Sequence, residues 1–557
     1  MTRPGEQYYP QGVRWDDAIE RGTLPDLLSK AAAEYASRPA LEFRDRPISY
    51  AELEAKVERA ASAFLRAGYG KDKSVALFLG NTPDHPVNFF GALKAGARIV
   101  HLSPLDGEIA LSHKLTDSGA RILVTSNLSA LLPTALKFLD KGLLDRLIVC
   151  EDDDWGKVGT PQTALPDNPA IVTCRQFVDG ATKPSVWPAI DVEDVALLQY
   201  TGGTTGLPKG AMLSHGNLTA AVSIYDVWGK PARAERNAIE RVICVLPLFH
   251  IYALTVVLLS SLRRGNLISL HQRFDVEAVM RDIETKRATY FPGVPTMWIA
   301  IAALPDLDKR DLSSLVSVGS GGAPLPVEVA RILEQRVGMK LKSGWGMTET
   351  CSPGTAHSKE GPDRPASIGM MLPGIEMDVV SLDDPTKLMP VGETGEIRIR
   401  GPNVTKGYWN RPKETAESFV GDRFLTGDIG YRDDDGYFFL VDRKKDMIIS
   451  GGFNVYPQMI EQAIYTHPSV QEVLVIGIPD DYRGEAAKAF VSLRAGAAPF
   501  TIDELRMFLS GKLGKHELPV AVEFVKELPR TPVGKLSRHE LRKTQPAPVT
   551  QSKAASG

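Results

Sequence analysis

Cysteine is scarce in this chain. Its 557 residues include four. Cys150, Cys174, Cys244 and Cys351 stand far apart, which fits neither a zinc site nor the disulfide framework of a small secreted domain. Few, scattered cysteines suit a reducing, cytoplasmic compartment. A surplus of positive charge is also missing. Lys and Arg number 65 against 68 Asp and Glu, so the net charge is −3 and no global basic field is available to hold nucleic acid. The opening "MTRPGEQYYPQG" has no apolar run behind its first basic residue and is not expected to act as a secretory signal. One stretch, residues 242–262, "VICVLPLFHIYALTVVLLSSL", has the length of a bilayer span. Pro247 and His250 interrupt it, so it is read as a buried strand–loop–helix. A transient membrane-surface contact stays open. Internal repeats are absent.

What is present organises into domains. The length exceeds one ordinary core, so two or more domains are expected. Over about the first 300 residues, short apolar strands ("VALFLG", "RILVTS", "RLIVC", "VALLQY") alternate with helical patterns. One helix opens with a capping box, Ser49 to Glu52, and puts Leu53, Val57, Ala60 and Phe64 on one face. Such alternation predicts largely parallel sheets covered by helices. Beyond about residue 370, short strands with Gly and Asp turns predict an antiparallel sheet or small barrel. Past "DRKKDMI", about 100 residues read as a separate α+β unit. The polar, Pro/Ala-rich tail is expected to be disordered.

The segment "YTGGTTGLPKGAML", residues 200–213, looks built for an anion. Gly202, Gly203, Gly206 and Gly210 let the backbone approach a ligand, while Thr201, Thr204, Thr205 and Lys209 supply donors. Asn217 is read as the cap of the helix that follows. Pro208 stands where a Walker A loop needs its second glycine, so the segment is not a Walker A loop. Alone, its bland alternative is a solvated glycine-rich turn, with phosphate contact the better reading.

The segment does not stand alone. "GWGMTE" (344–349), "GEIRIRGPNVTKGYWN" (395–410), "FLTGDIG" (424–430), "DRKKDMIISGGFNVYP" (442–457) and "PRTPVGKLSR" (529–538) follow it in order. With "YTGGTTGLPKG", this set resembles the adenylate-forming (ANL) superfamily: acyl-CoA synthetases, firefly luciferase and peptide-synthetase adenylation domains. The resemblance spans nearly the whole chain. It implies an α/β fold with a large N-terminal domain, 1–442, of two αβ-layered parallel-rich sheets plus a small β-barrel. A hinge at 443–445, a small mobile α+β C-terminal domain at 446–545 and a disordered tail at 546–557 would follow.

The implied chemistry is AMP-forming ligation of a carboxylic acid to coenzyme A, with ATP and Mg2+. Thr201 to Gly206 and Lys209 would hold the β- and γ-phosphates. Glu349 would bind Mg2+, a hard cation suited to oxygen ligands. Thr348 would touch the α-phosphate. Trp345 would stack against the adenine face, and Gly344, Gly346, Met347, Gly322, Ala323 and Pro324 would belong to the ATP site. Asp428 would take the ribose hydroxyls, assisted by Arg443. Lys535 would be the catalytic lysine of the first half-reaction. Lys445 would be the hinge about which the C-terminal domain rotates, bringing Gly451, Gly452 and Phe453 to a pantetheine tunnel for the second. The run around Lys535 also resembles acetylation sites of bacterial acyl-CoA synthetases, which implies an acetyltransferase and deacetylase as partners.

The acid is less legible. "PLFHIYAL" resembles the acyl-pocket segment of fatty acyl-CoA ligases, so His250, Ile251 and Tyr252 are expected to line it, with Gly319 and Gly321 of "GSGGAPLP" on another wall. His250 by itself reads more often as a packed core histidine, and the glycines as either a deep pocket or tight packing. A medium- to long-chain fatty acid is expected. A dicarboxylate such as pimelate, then an aromatic acid, are the alternatives. No downstream carrier domain is visible, and no insertion of the kind found in acyl-AMP ligases. A luciferase-type oxygenase ranks far lower. A catalytically dead binding protein predicts lesions that Lys209, Glu349, Asp428 and Lys535 do not show. Homodimerisation is implied by related ligases, without an interface signal in the sequence.

Overall fold

A computed structural model of the protein describes residues 3–201, 207–234, 239–323, 325, 327–364, 367–451, 453–480, 482–531 and 535–543. Gly202, Gly203, Thr204, Thr205, Gly206, Pro324, Gly452, residues 532–534 and the tail from 544 lie outside the described residues.

Two of the sheets carry the expected parallel texture. In one, the strands Arg146–Cys150, Ile122–Ser126, Ser74–Leu77, Arg98–His101 and Val195–Thr201 run parallel to their neighbours. Ser74–Leu77 and Ile122–Ser126 are buried at every position, as strands covered on both faces must be. The last strand then turns back: Val195–Thr201 pairs antiparallel with Lys209–Ser214, setting Thr201 opposite Lys209. The two ends of the glycine-rich segment are therefore paired strands of a β-hairpin at the edge of this sheet. In the other sheet, Ser317–Ser320, Tyr290–Gly293, Arg241–Cys244 and Leu267–Leu270 pair in parallel, so Gly319 and Gly321 lie at and just past a strand end.

Local signals behave as chemistry requires. Ser49 closes a capping box with Glu52 at the head of Tyr50–Arg66, whose Leu53, Val57, Ala60 and Phe64 are all buried. Asn217 is not the cap of His215–Ala234. Ser214 precedes that helix, its Oγ accepting from Asn217 N at 3.0 Å while Asn217 Oδ1 accepts from Ser214 N at 3.1 Å. An Asn at the third helical position can return the bond that a Ser cap receives, and the sequence alone does not rank the two.

The cysteine expectation is corrected. Cys150 and Cys174 are joined as a disulfide, with Cα atoms 4.9 Å apart. Their strands are parallel neighbours, with Val149 beside Thr173, so the next residue of each emerges next to the other. Spacing along the chain does not reveal this adjacency. Cys244 and Cys351 are free and buried.

Residues 242–262 form the expected strand, loop and helix. Arg241–Cys244 is a strand, Ala253–Leu259 a π-helical stretch and Ser260–Arg263 an α-helical turn, with positions 253–262 buried in the core. No described helix is long and apolar enough to cross a membrane.

The third sheet is antiparallel and runs from Thr355–Ala356 through Ser367–Met371, Tyr437–Arg443, Arg423–Arg432 and Gly395–Arg400 to Glu376–Val380. Among the described residues its two end strands do not pair, so the expected small barrel is open along that edge. Tyr437–Arg443 leads directly into the C-terminal unit, where Val470–Asp480 and Gly484–Leu493 form a long antiparallel pair covered by Pro457–Tyr465 and Ile502–Leu509.

Candidate active site

One large cavity lies where the strand ends of the large domain meet the small domain. Its polar side begins with the one-turn 3-10 helix Thr348–Thr350, which delivers Thr348 and Glu349. The turn is tight. A Cβ on Gly346 would come 1.4 Å from the carbonyl oxygen of Ser352, so only glycine fits. Cys351 and Ser352 both take positive φ, 54° and 99°, a costly backbone for side-chain-bearing residues. Glu349, on this turn, is 5% exposed. Burial raises its carboxyl above the ordinary carboxylate range, and the Tyr408 hydroxyl, donating to Oε1 at 2.8 Å, pulls it back.

Tyr408 ties two motifs together. Lys209 Nζ lies 5.3 Å from its ring centroid, and the backbone around it pairs with the strand of Lys209: Met212 N donates to Gly407 O and Trp409 N to Gly210 O. It sits in "TKGYWN", but sequence reasoning did not single it out. Among the described residues, no three His, Cys, Asp or Glu side chains gather as a metal site. Glu349, as a lone hard oxygen donor, fits a Mg2+ ion that takes its remaining ligands from phosphate and water.

Asp428 is 2% exposed and held from two sides. The Trp345 indole N–H donates to Oδ2 at 2.7 Å, and Arg443 Nε pairs with Oδ1 at 2.9 Å. Trp345 therefore orients Asp428 with its ring edge, a contact that the stacking expectation did not include. Gly344, Met347, Ala323 and Thr201 line the same cavity.

Lys535 enters this cavity from the small domain. The carbonyl of Lys535 accepts from Thr531 N at 2.6 Å, and its N–H donates to Thr531 Oγ1 at 3.2 Å. Its side chain rests on Gly322, whose φ is +78°; a Cβ there would lie 2.7 Å from Cε and 2.9 Å from Nζ. Burial, then Arg443, lower the Lys535 ammonium to about 8. His250 faces the same space. Burial, then Lys535, depress it to about 3, so it is neutral, and its Nδ1 accepts from Tyr252 N at 3.3 Å. With Nδ1 occupied as an acceptor, the ring proton sits on Nε2.

The wall expected to face the acid is built by packing. A Cβ on Gly321 would lie 2.9 Å from Tyr252 Cζ, so this glycine makes room for the Tyr252 ring, whereas one on Gly319 would meet its hydroxyl only at an ordinary contact distance of 3.9 Å. Ile251, Val256, Tyr225, Trp228 and Tyr290 complete the wall. Ser320, 2% exposed, lines the cavity with its Oγ unpartnered.

Lys445 also lines the cavity and sits between two anchored neighbours. Lys444 is fixed to the large domain through Glu396 at 2.8 Å, and Asp446 to the small domain through Arg542 at 2.9 Å. Gly451 and Phe453 are not brought to this cavity. Phe453 is 60% exposed and lies against the ring of His516.

The family model described as "AMP-binding enzyme" matches residues 28–409, and "AMP-binding enzyme C-terminal domain" matches 459–535. A long-chain-fatty-acid–CoA ligase of Bacillus subtilis (strain 168) is 35% identical, over 97% of this chain and 97% of its own. A feruloyl-CoA synthase of an Amycolatopsis species is 38% identical, over 89% and 94%. The crystal structure of ATP-bound MatB from Rhodopseudomonas palustris superposes with a TM-score of 0.82 at 29% identity, covering 93% of this chain and 98% of that one. With both models matched in order and full-length relatives at this identity, the chain belongs to the AMP-binding enzyme family.

Proposed function

We propose that this AMP-forming acid–CoA ligase activates a medium- to long-chain fatty acid through an acyl-adenylate, in two half-reactions separated by rotation of the small domain about Lys445. The placement of Lys535 on Gly322, in one cavity with Glu349, Thr348 and Asp428, carries the reading. In the first half-reaction the acid's carboxylate attacks the α-phosphate of ATP, and pyrophosphate leaves. In the second, the CoA thiol attacks the acyl carbonyl, and AMP leaves.

Both steps spread negative charge over oxygens, so positioned cations and donors do most of the work. Lys535 bridges carboxylate and α-phosphate, Thr348 donates to the phosphate, and Asp428 accepts from the ribose. The neutral His250 offers its Nε2–H on the acid side. Lys209 and the glycine-rich segment hold the departing phosphates. A Mg2+ ion at Glu349 supplies charge neutralisation for those phosphates. Rotation removes Lys535 and presents Gly451, Gly452 and Phe453 to the thiol's route. Acetylation of Lys535 by a lysine acetyltransferase would erase the charge used in the first half-reaction.

An aromatic acid is the second reading, favoured by the wall of Tyr225, Tyr252, Tyr290 and Trp228. The test is a panel of dodecanoate, palmitate, pimelate, benzoate and ferulate, scored by kcat/KM with ATP and CoA. AMP and pyrophosphate are the expected products, with an alkyl acid ranking first. Release of ADP would sink the mechanism, and ferulate ranking first would select the second reading.

A further inference from the structure

Three residues beyond the catalytic lysine, Arg538 occupies the centre of a buried ion network that the reaction chemistry does not call for. Its Nη2 and Nε pair with Glu461 at 2.6 and 3.0 Å. Its Nη1 reaches Asp442 at 3.3 Å and Asp446 at 3.5 Å. The side chains of Asp442 and Arg538 are 0% and 14% exposed. These partners do not belong to one body. Glu461 lies on the small-domain helix Pro457–Tyr465, its Oε1 also accepting from Val475 N at 2.7 Å. Asp446 follows Lys445. Asp442 precedes it, on the large-domain strand Tyr437–Arg443. There it accepts a second bond from beyond the pivot, from Gln458 N at 2.7 Å, at the start of the same small-domain helix.

We propose that Arg538 is a positioning residue for the first half-reaction: it ties Asp442 on the large-domain side of Lys445 to Asp446 and Glu461 on the small-domain side, and so holds Lys535 against Gly322. The inference rests on the two-orientation reading above. Only Leu536 and Ser537 separate Arg538 from Lys535, and Ser537 N donates to Pro529 O at 2.9 Å, so the arginine and the lysine move as a unit. The geometry also assigns the arms different tasks. Glu461 takes a two-pronged guanidinium contact inside the small domain and would travel with it. The Asp442 arm crosses the pivot and must be given up when the domain turns. A longer, single-point contact is suited to that exchange, because breaking it leaves Arg538 paired to Glu461 rather than stranded.

The test separates the half-reactions in the full-length enzyme, using whichever acid of the panel turns over best. Adenylation is read by acid-dependent ATP–pyrophosphate exchange, and thiolysis by CoA release of AMP from the supplied acyl-adenylate. Arg538→Gln should lower the adenylation kcat roughly tenfold to a hundredfold, with the KM for ATP and the thiolysis rate each within about threefold. Arg538→Lys, which keeps one charge but loses the fork, should fall between. Asp442→Asn leaves the Glu461 contact intact and tests the crossing arm without unbuilding the small domain. It should show the same one-sided loss, and adding it to Arg538→Gln should cost little more.

Loss of both half-reactions to the same degree in Asp442→Asn, or wild-type exchange in Arg538→Gln, overturns the proposal. A Lys535→Ala control keeps the two levels apart. If it spares thiolysis while Arg538→Gln leaves exchange unchanged, only the positioning role falls. If it destroys both half-reactions, the two-orientation reading falls and takes this inference with it.

Discussion

The proposed nucleotide side and the proposed acid side of the cavity are held in different ways. On the nucleotide side polar groups fix one another: Tyr408 on Glu349, Trp345 and Arg443 on Asp428. Glycines there leave clearances that no other residue would, as at Gly346 and Gly322. On the acid side a buried π-helical stretch, a tyrosine packed over a glycine and a neutral histidine form a wall. A polar constellation needs given residue types at given positions, and losing one member leaves the others unpaired in a low-dielectric site. A packed wall needs only shape and volume and tolerates exchange. Substitutions on the first side should therefore be severe and selective for one half-reaction, and those on the second mild and selective for the acid.

The largest effect should come from Lys535→Ala: a loss of adenylation on the order of 10^3-fold or more, with thiolysis of supplied acyl-adenylate largely spared. Equal damage to both would erase the distinction between a residue of one half-reaction and a residue of the site. Gly322→Ala comes next. Its methyl group would occupy the space of Lys535 Cε and sit on a left-handed backbone, so adenylation should fall about a hundredfold. Combined with Lys535→Ala it should add little, because the group it displaces is already gone. Full additivity in that double variant would mean that Gly322 acts through something other than the lysine.

A smaller effect is expected from pH. Lys535 works as a cation, and burial followed by Arg443 lowers it to about 8. Protonated enzyme predominates below that value, so kcat/KM for adenylation should be level on the acid side and fall as pH rises through about 8. A falling limb near the ordinary lysine range instead would show that the free enzyme does not hold Lys535 in a dry, cationic setting.

How much of this was legible follows the same division. Lys209, Glu349, Asp428 and Lys535 lie in different elements, and the ordered motifs placed them in one site because each motif records a local backbone need. Tyr408 was inside a quoted motif and still missed: its hydroxyl matters only through a carboxylate 59 positions away in the chain. The disulfide was missed for a related reason, since Cys150 and Cys174 become neighbours through strand pairing. Arg538 closes the quoted motif "PRTPVGKLSR" without a role of its own, and its four contacts are all with residues distant in sequence. Parallel strands and helix faces were readable because burial repeats with a short period. The hairpin that carries the glycine-rich segment was not, because "KGAML" has too few residues before the helix to announce a strand.

The mildest prediction tests the acid side itself. Tyr252 fills the room left by Gly321, and its backbone N–H donates to His250. Tyr252→Ala keeps that backbone bond and removes the ring, which opens space on the wall without touching the nucleotide. The ratio of kcat/KM between palmitate and ferulate should shift by about tenfold, the scale that a reshaped apolar pocket commands. The KM for ATP should stay within about twofold. A flat-ring acid that loses its packing partner should suffer more than an alkyl chain that can refold into the new space. If both acids lose equally and the ATP KM rises with them, Tyr252 is holding the whole site in shape, and the division between a polar, unforgiving side and a packed, adaptable one does not hold.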